Sequence, residues 1–232
     1  MPYSQPDPSS IKNLFAKIAT RYELANHLLC GGIDFWWRHV TARKVAKKRP
    51  HLILDVATGS GDLAVAILKK IPTAQVIGID FCEEMLAEAA KKQIPSLSLM
   101  QADGMSLPFP DASYDAVTIA FGLRNMASWE KGLREMHRVL RPGGSLFILD
   151  FSLPTATLLK PLYRFYLHHL LPRLAGLITG QSEAYSYMAD SIEQFPSGKK
   201  MGTLLEQCGF EQVTFTPMTF GVVTLYTATA LQ

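Results

Sequence analysis

Five short apolar runs, at residues 52–56, 75–80, 97–102, 116–120 and 145–150, alternate along the chain with stretches of helical periodicity near 63–70, 83–92 and 130–140. Short unbroken apolar runs suit strands buried on both faces. Strands alternating with helices imply βαβ units, right-handed crossovers and a mostly parallel sheet between helical layers, so the fold class is α/β. A chain of 232 residues can bury one sizeable core of this kind. Ahead of the sheet, Leu14, Phe15, Ile18 and Tyr22 share one face of a helix starting near Ile11, and Gly31-Gly32 breaks it. A second helix at about 34–48 carries Trp36, Trp37 and Val40 beside the basic residues Arg43, Lys44, Lys47, Lys48 and Arg49. Arg141-Pro-Gly-Gly144 reads as a turn. Residues 153–197 are helical, aromatic and proline-interrupted, as expected of an insertion over the sheet. A helix at 199–208 closed by Gly209 and two alternating strands, near 213–215 and 222–229, complete the chain, the last strand antiparallel.

Composition removes some alternatives. The formal charge of +3 is too small to argue for or against a nucleic-acid partner. Cys30, Cys82 and Cys208 are odd in number and lack ligand spacing, so reduced thiols and no metal site are expected. The start, MPYSQPDPSS, has no basic region followed by an apolar one and does not read as a secretory signal. The most apolar segment, residues 158–178, is broken by Lys160, Pro161, Arg164, Pro172 and Arg173 and falls short of a membrane span of ~20 apolar residues. The expected location is the cytoplasm, with any membrane contact peripheral, at the inner face.

Between the first strand and its helix, Gly59-Ser60-Gly61-Asp62-Leu63-Ala64 fits the G-x-G-x-x-G/A nucleotide loop. Asp80 ends the next strand, about 20 residues on, where an acid in this architecture accepts from ribose hydroxyls. Charge chooses the cofactor. A pyrophosphate wants bare backbone N–H groups, whereas Asp55 and Asp62 flank this loop. At ~6 Å and an effective dielectric of ~20, each carboxylate would oppose a pyrophosphate charge by about 3 kcal/mol. The same acids attract the ammonium and sulfonium of S-adenosylmethionine. Asp103-Gly104, after the third strand, lies at the same sheet edge, the acid able to accept from an adenine amino group and the glycine leaving room for the ring. The candidate cofactor-binding set is Asp55, Thr58, Gly59, Ser60, Gly61, Asp80, Phe81, Met85, Asp103, Gly104 and Ala120. The expected fold is thus the Rossmann-like class I S-adenosylmethionine methyltransferase.

The fourth strand runs into Phe121-Gly-Leu-Arg-Asn125. It has neither the (Asn/Asp)-Pro-Pro-aromatic stretch of base-amino methylation nor a nucleophilic cysteine, which disfavours nucleic acid as substrate. An aromatic, a glycine and an Arg-Asn pair suit a flat substrate with a developing anion. These residues, with 101–111 (QADGMSLPFPD) and 138–152 (RVLRPGGSLFILDFS), resemble the ubiquinone/menaquinone-biosynthesis C-methyltransferases, and the likeness covers nearly the whole chain. Tyr22-Glu-Leu-Ala-Asn26 with Trp37, Tyr185 to Ile192, and Gly221-Val-Val223 resemble further family segments. The chain departs from the pattern at Glu23, Ala25, Cys30, Asp34, Ser60, Ala120 and Asp150.

The resemblance implies methylation of a ring carbon of a polyprenylated quinol, demethylmenaquinol or its benzoquinol counterpart. A quinol carbon becomes nucleophilic when its neighbouring hydroxyl ionises, and a phenol titrates near ~10. Arg124 is the candidate for stabilising that anion, because arginine stays charged and cannot itself take the proton. The base stays open between a water held by Arg124 and Asn125, Tyr22, and His169. On this view Arg124→Ala abolishes turnover and leaves cofactor affinity nearly intact. The apolar run 158–174 could admit a polyprenyl tail, touch lipid or form a homodimer contact, and the basic end of the second helix could attract anionic lipid. Residues 1–10 are expected to be a flexible terminus, 11–50 a helical cap and 51–232 the methyltransferase domain. Rival readings are another small-molecule methyltransferase, acting on oxygen or nitrogen, and a non-catalytic scaffold.

Overall fold

In a computed structural model, residues 30–156, 158–179 and 182–231 are described. The expected terminus at 1–10, the first helix and Tyr22 lie outside them. Helix α1 (Ile33–Lys47) starts after Gly32, whose φ of +74° suits glycine, and buries Trp37, Thr41, Ala42 and Val45 along one face. Strand β1 (Leu52–Val56) leads into α2 (Asp62–Leu68), β2 (Gln75–Asp80) into α3 (Glu83–Ala90), and β3 (Leu97–Gln101) is followed by β4 (Tyr114–Ala120). Helix α4 (Trp129–Val139), capped by the Ser128 hydroxyl, precedes β5 (Leu140–Phe151). The insertion comprises α5 (Leu159–Phe165), a π-helical turn (Tyr166–Leu170), α6 (Leu171–Thr179) and α7 (Ser182–Gln194). Helix α8 (Lys199–Gln207) and strands β6 (Phe210–Met218) and β7 (Val223–Ala230) follow.

The seven strands lie in the order β3-β2-β1-β4-β5-β7-β6. All pairs from β3 to β5 are parallel, and β7 is antiparallel to both neighbours. Alternate residues of each strand feed two cores. Ile53, Phe147 and Leu149 face one with Trp37 and Ile67. Leu54, Val56 and Ile148 face the other with Leu133 and Met201. Burial on both sides explains why these strands read as continuous apolar runs. The order reverses direction between β1 and β4, so the carboxyl ends of β1, β2 and β4 open onto the crevice where ligands of such sheets bind.

Two expectations need correcting in detail. Arg141 to Gly144 do not end a helix before a fresh strand. The ladder passes from Tyr114 opposite Leu140 to Ala116 opposite Ser145, so these four residues bulge from within β5. The strand around Val213 is also longer than the alternation suggested, running from Phe210 to Met218 with a register shift between Glu211 and Thr214.

Candidate active site

The first strand sets the site. Asp55 and Thr118 are register partners on β1 and β4, and the Thr118 hydroxyl donates to Asp55 Oδ1 at 2.5 Å. The Thr58 hydroxyl donates to Oδ2 at 2.7 Å. Burial raises the Asp55 carboxyl from 3.8 to about 6, against the pull of these two hydroxyls. After β1 the chain turns through Ala57 (φ +50°) and Gly59 (φ +57°), and a Cβ on Gly59 would sit 3.3 Å from Met85 Cε. Asp80, at the end of β2, accepts the Gly59 N–H at 2.8 Å and the Cys82 N–H at 2.9 Å, one on each oxygen. Burial raises its carboxyl as well. The Phe81 N–H also bears on this carboxylate, and of its roughly four lone-pair sites one is left for a ligand hydroxyl.

One cavity runs from these acids to the end of β4. Of the expected cofactor residues, Asp55, Thr58, Gly59, Ser60, Asp80, Phe81, Met85, Asp103, Gly104 and Ala120 line it. Gly61 is not among its lining residues. Its φ of +82° makes the turn into α2, and a Cβ there would lie 3.4 Å from Ala89 Cβ, so this glycine serves the turn and its packing.

Two residues add detail to the expectation. Asp62 is paired, at 2.5 Å with Lys92 and 3.5 Å with Arg38, so its charge is largely spent within the protein. At Gly104 the place a Cβ would take is filled by Met126 Cε at 2.6 Å and Val56 Cγ1 at 3.0 Å, so the missing side chain admits these neighbours while the residue itself lines the cavity. Its neighbour Asp103 accepts the Met105 N–H at 2.8 Å, an Asx turn, and still lines the cavity.

At the β4 end, Phe121 holds a left-handed φ of +58°, strained for a side chain of its size. Its carbonyl accepts from Arg124 Nη1 at 2.5 Å and from Asn125 Nδ2 at 3.4 Å, which fastens the turn. Arg124 is 3% exposed and lies 2.9 Å from Asp150, which is fully buried. The Asp150 carboxyl is raised by burial and pulled down by Arg124. Arg124 therefore carries a buried counter-ion and is no lone fixed cation. The side chain of Asn125 accepts from the Tyr187 hydroxyl, on α7, at 3.2 Å. Of the residues considered for catalysis, Arg124 and Asn125 line the cavity. His169 does not: it is exposed on the π-helical turn, its ring 4.9 Å from Phe165. Tyr22 lies outside the described residues.

The sequence predicts a helical cap over residues 11–50, but not which of its side chains reach the site. Cys30, just before it, and Asp34, Trp37 and Arg38 line the cavity, joined by Phe151 and by Met188 from α7. The Phe121 ring packs 4.7 Å from Phe151 and 6.1 Å from Trp37, with the Arg38 guanidinium 5.4 Å over its centre. Arg38 also pairs with Asp34. Trp37 and Asp34 stood out in the sequence, but nothing local shows that the helix docks over the nucleotide loop. The cavity thus has an acidic end with one arginine beside it and an aromatic end at β4. That donor set fits a ligand with a diol, an ammonium, a carboxylate and a sulfonium, the groups of S-adenosylmethionine.

The chain matches the model of the ubiE/COQ5 methyltransferase family over residues 4–230. It is 43% identical over 225 residues to a demethylmenaquinone methyltransferase of Chlorobaculum parvum, covering 95% of this chain and 92% of that one. It is 45% identical over 216 residues to a ubiquinone/menaquinone biosynthesis C-methyltransferase of Syntrophotalea carbinolica, covering 92% and 91%. Among solved structures, an S-adenosylmethionine-dependent methyltransferase from Thermotoga maritima has the same fold, with a TM-score of 0.65 at 16% identity over 94% of this chain and 98% of that one.

Proposed function

The chain belongs to the ubiE/COQ5 methyltransferase family, and from that premise we propose that it methylates a ring carbon of demethylmenaquinol to give menaquinol. The observation that carries this reading is the aromatic end of the cavity, where Trp37, Phe121 and Phe151 stand around the end of β4 beside the nucleotide loop. Flat rings with few polar atoms suit a flat, lipophilic quinol.

S-adenosylmethionine, when bound, supplies an electrophilic methyl group on a sulfonium. Asp80 would accept from its ribose hydroxyls, Asp103 from its adenine, and Arg38 would meet its carboxylate. Thr58 and Thr118 hold the Asp55 carboxylate still, so its charge is preorganised. At the other end, Arg124 and Asn125 fix the Phe121 carbonyl and so hold the strained turn against which the quinol would lie. A phenolate is favoured by the arginine's donors, moderated by Asp150. With His169 turned away, the proton is best passed to a water held by Asn125 and the Tyr187 hydroxyl. The aromatic walls keep bulk water out, which favours a reaction that neutralises charge. Helix α1 and the insertion act as the lid of a transferase domain spanning 51–232.

The test is direct. Purified protein given S-adenosylmethionine and chemically reduced demethylmenaquinone should yield menaquinol, read by mass spectrometry. A protein that binds the cofactor and returns the quinol unmethylated rejects the reading. The second substrate to try is the benzoquinol counterpart, because the Syntrophotalea carbinolica relative carries both quinones in its name.

No helix of the described residues is long and apolar enough to cross a membrane. The reading includes peripheral contact through the insertion. Leu158, Leu162 and Phe165 recur at helical spacing at the start of the insertion and are exposed, the first two 88% and 65%, with Lys160 among them, and Leu174 is a further exposed apolar residue beyond the π turn. Vesicles containing phosphatidylglycerol should co-sediment the protein, and Leu162→Ser with Phe165→Ser should release it. Equal retention of both proteins speaks against this face.

A further inference from the structure

We propose that a second chamber, beside the transfer site, receives the first isoprene units of the substrate's tail, an inference that rests on the quinol reading above. The chamber measures about 230 Å³ and lies between α1, the insertion and the segment before β7. Cys30, Trp37, Phe151 and Met188 line both it and the cofactor cavity, so the two share a wall.

The chambers differ in chemistry. Among the described residues, five aspartates and two arginines line the first, and no charged side chain lines the second. Ile33, Leu167, Leu171 and Val222 supply aliphatic surface, and the rings of Tyr163, Tyr166 and Tyr185 close the sides. Trp37 stands at the junction with its indole N–H donated to the Thr219 hydroxyl at 2.8 Å, so its ring carbons are what the chambers meet. Burial pushes the hydroxyls of Tyr163 and Tyr166 up, consistent with a dry surrounding. A polar chamber joined to an uncharged one matches a ligand with a polar head and an apolar tail. The same partition fits no cofactor group, since S-adenosylmethionine has no long apolar arm.

Size sets how much tail fits. An apolar cavity of ~150 Å³ holds a six-carbon ring, so this one has room for about one to two five-carbon units before the tail must leave. The insertion's backbone supports the same place. Pro172 has no N–H to donate back to residue 168, and the helix widens into a π turn at Tyr166–Leu170 just before it. That turn puts Tyr166 and Leu167 into the chamber wall, with Leu171 directly after it.

The wild-type protein provides the first test, with reduced demethylnaphthoquinones bearing zero to four isoprene units. KM should fall at least about tenfold over the first one or two units and then level off. A KM indifferent to the first two units overturns the chamber while methylation itself upholds the quinol reading. Failure to methylate any member overturns that reading and this inference with it. Filling the chamber gives the second test. Val222→Trp, or Ile33→Phe should that variant fold better, should lower kcat/KM for the two-unit substrate about tenfold. The tail-less substrate should stay within about twofold, with cofactor affinity unchanged by calorimetry. A folded variant that loses both substrates equally, or neither, counts against the chamber.

Discussion

Asp55 is a buried carboxylate whose charge the fold tolerates at a cost, and that cost should be visible in stability. Burial raises it from 3.8 to about 6, so the folded protein holds this proton over a range in which the unfolded chain has lost it. The stabilisation is complete below about pH 4 and is lost as the pH rises through about 6. Asp55→Asn, neutral throughout, should therefore gain on the wild type as pH rises, by up to about 3 kcal/mol at pH 7.5. Urea denaturation of the cofactor-free proteins at pH 5 and 7.5 reads about 1.4 kcal/mol of this, the rest falling below pH 5, and a difference independent of pH would refute it. Arg124 asks for a similar comparison. Removing one partner of a buried ion pair typically costs about 3–5 kcal/mol, whereas replacing both with apolar residues costs far less. Arg124→Ala should be unstable by about that amount, and Arg124→Met with Asp150→Leu should recover most of it, both remaining inactive. Equal stability of the single and double variants would contradict the pairing. The sequence alone made Arg124→Ala look like a clean kinetic variant, because its partner is 26 residues away on the neighbouring strand. Asp55, Asp80 and Asp103 were legible because a residue at a strand's carboxyl end has its place dictated by topology. Arg38 was not, since its reach depends on how α1 docks.

At the scale of elements, Asp62 ties three together. Its carboxylate meets Arg38 of α1 and Lys92, just beyond α3, from the first turn of α2. These side chains are 14%, 25% and 13% exposed for the arginine, lysine and aspartate, enough burial for the contacts to matter more than surface pairs do. Asp62→Ala should lose about 1–3 kcal/mol and speed amide exchange in α1 more than in β5. Uniform exchange across both would show that α1 is held by its apolar face alone. The strands were readable to within a few residues because a buried parallel strand has few alternatives as a sequence. The bulge within β5 and the π turn in the insertion were not, because each is a backbone adjustment to its surroundings. A proline-glycine pair looks the same in a turn and in a bulge. His169 failed for a related reason: on a helix apolar around most of its circumference, the inward face cannot be told from periodicity, and the widened turn shifts the phase again.

For the molecule as a whole, the site sits where both cores meet. Its walls come from the ends of β1, β2 and β4, from α1 over one core and from Met126 and Ala102 beside the other. A ligand in the cavity therefore stabilises every layer it touches, and the cofactor should act on the domain as one unit. At a concentration 100 times its Kd, the product S-adenosylhomocysteine should add about 2.7 kcal/mol. For a domain of this size that raises Tm by roughly 5–10 °C. A dinucleotide at the same concentration should leave Tm in place, because its pyrophosphate would sit against Asp55 and Asp80 without the compensating cations. Calorimetry in the presence of each ligand separates the outcomes. A single transition shifted by S-adenosylhomocysteine alone is expected. Two transitions, with only one responding, would mean that the helices between β5 and α8 fold apart from the sheet, and a lid of that kind could not carry a rigid chamber for the tail.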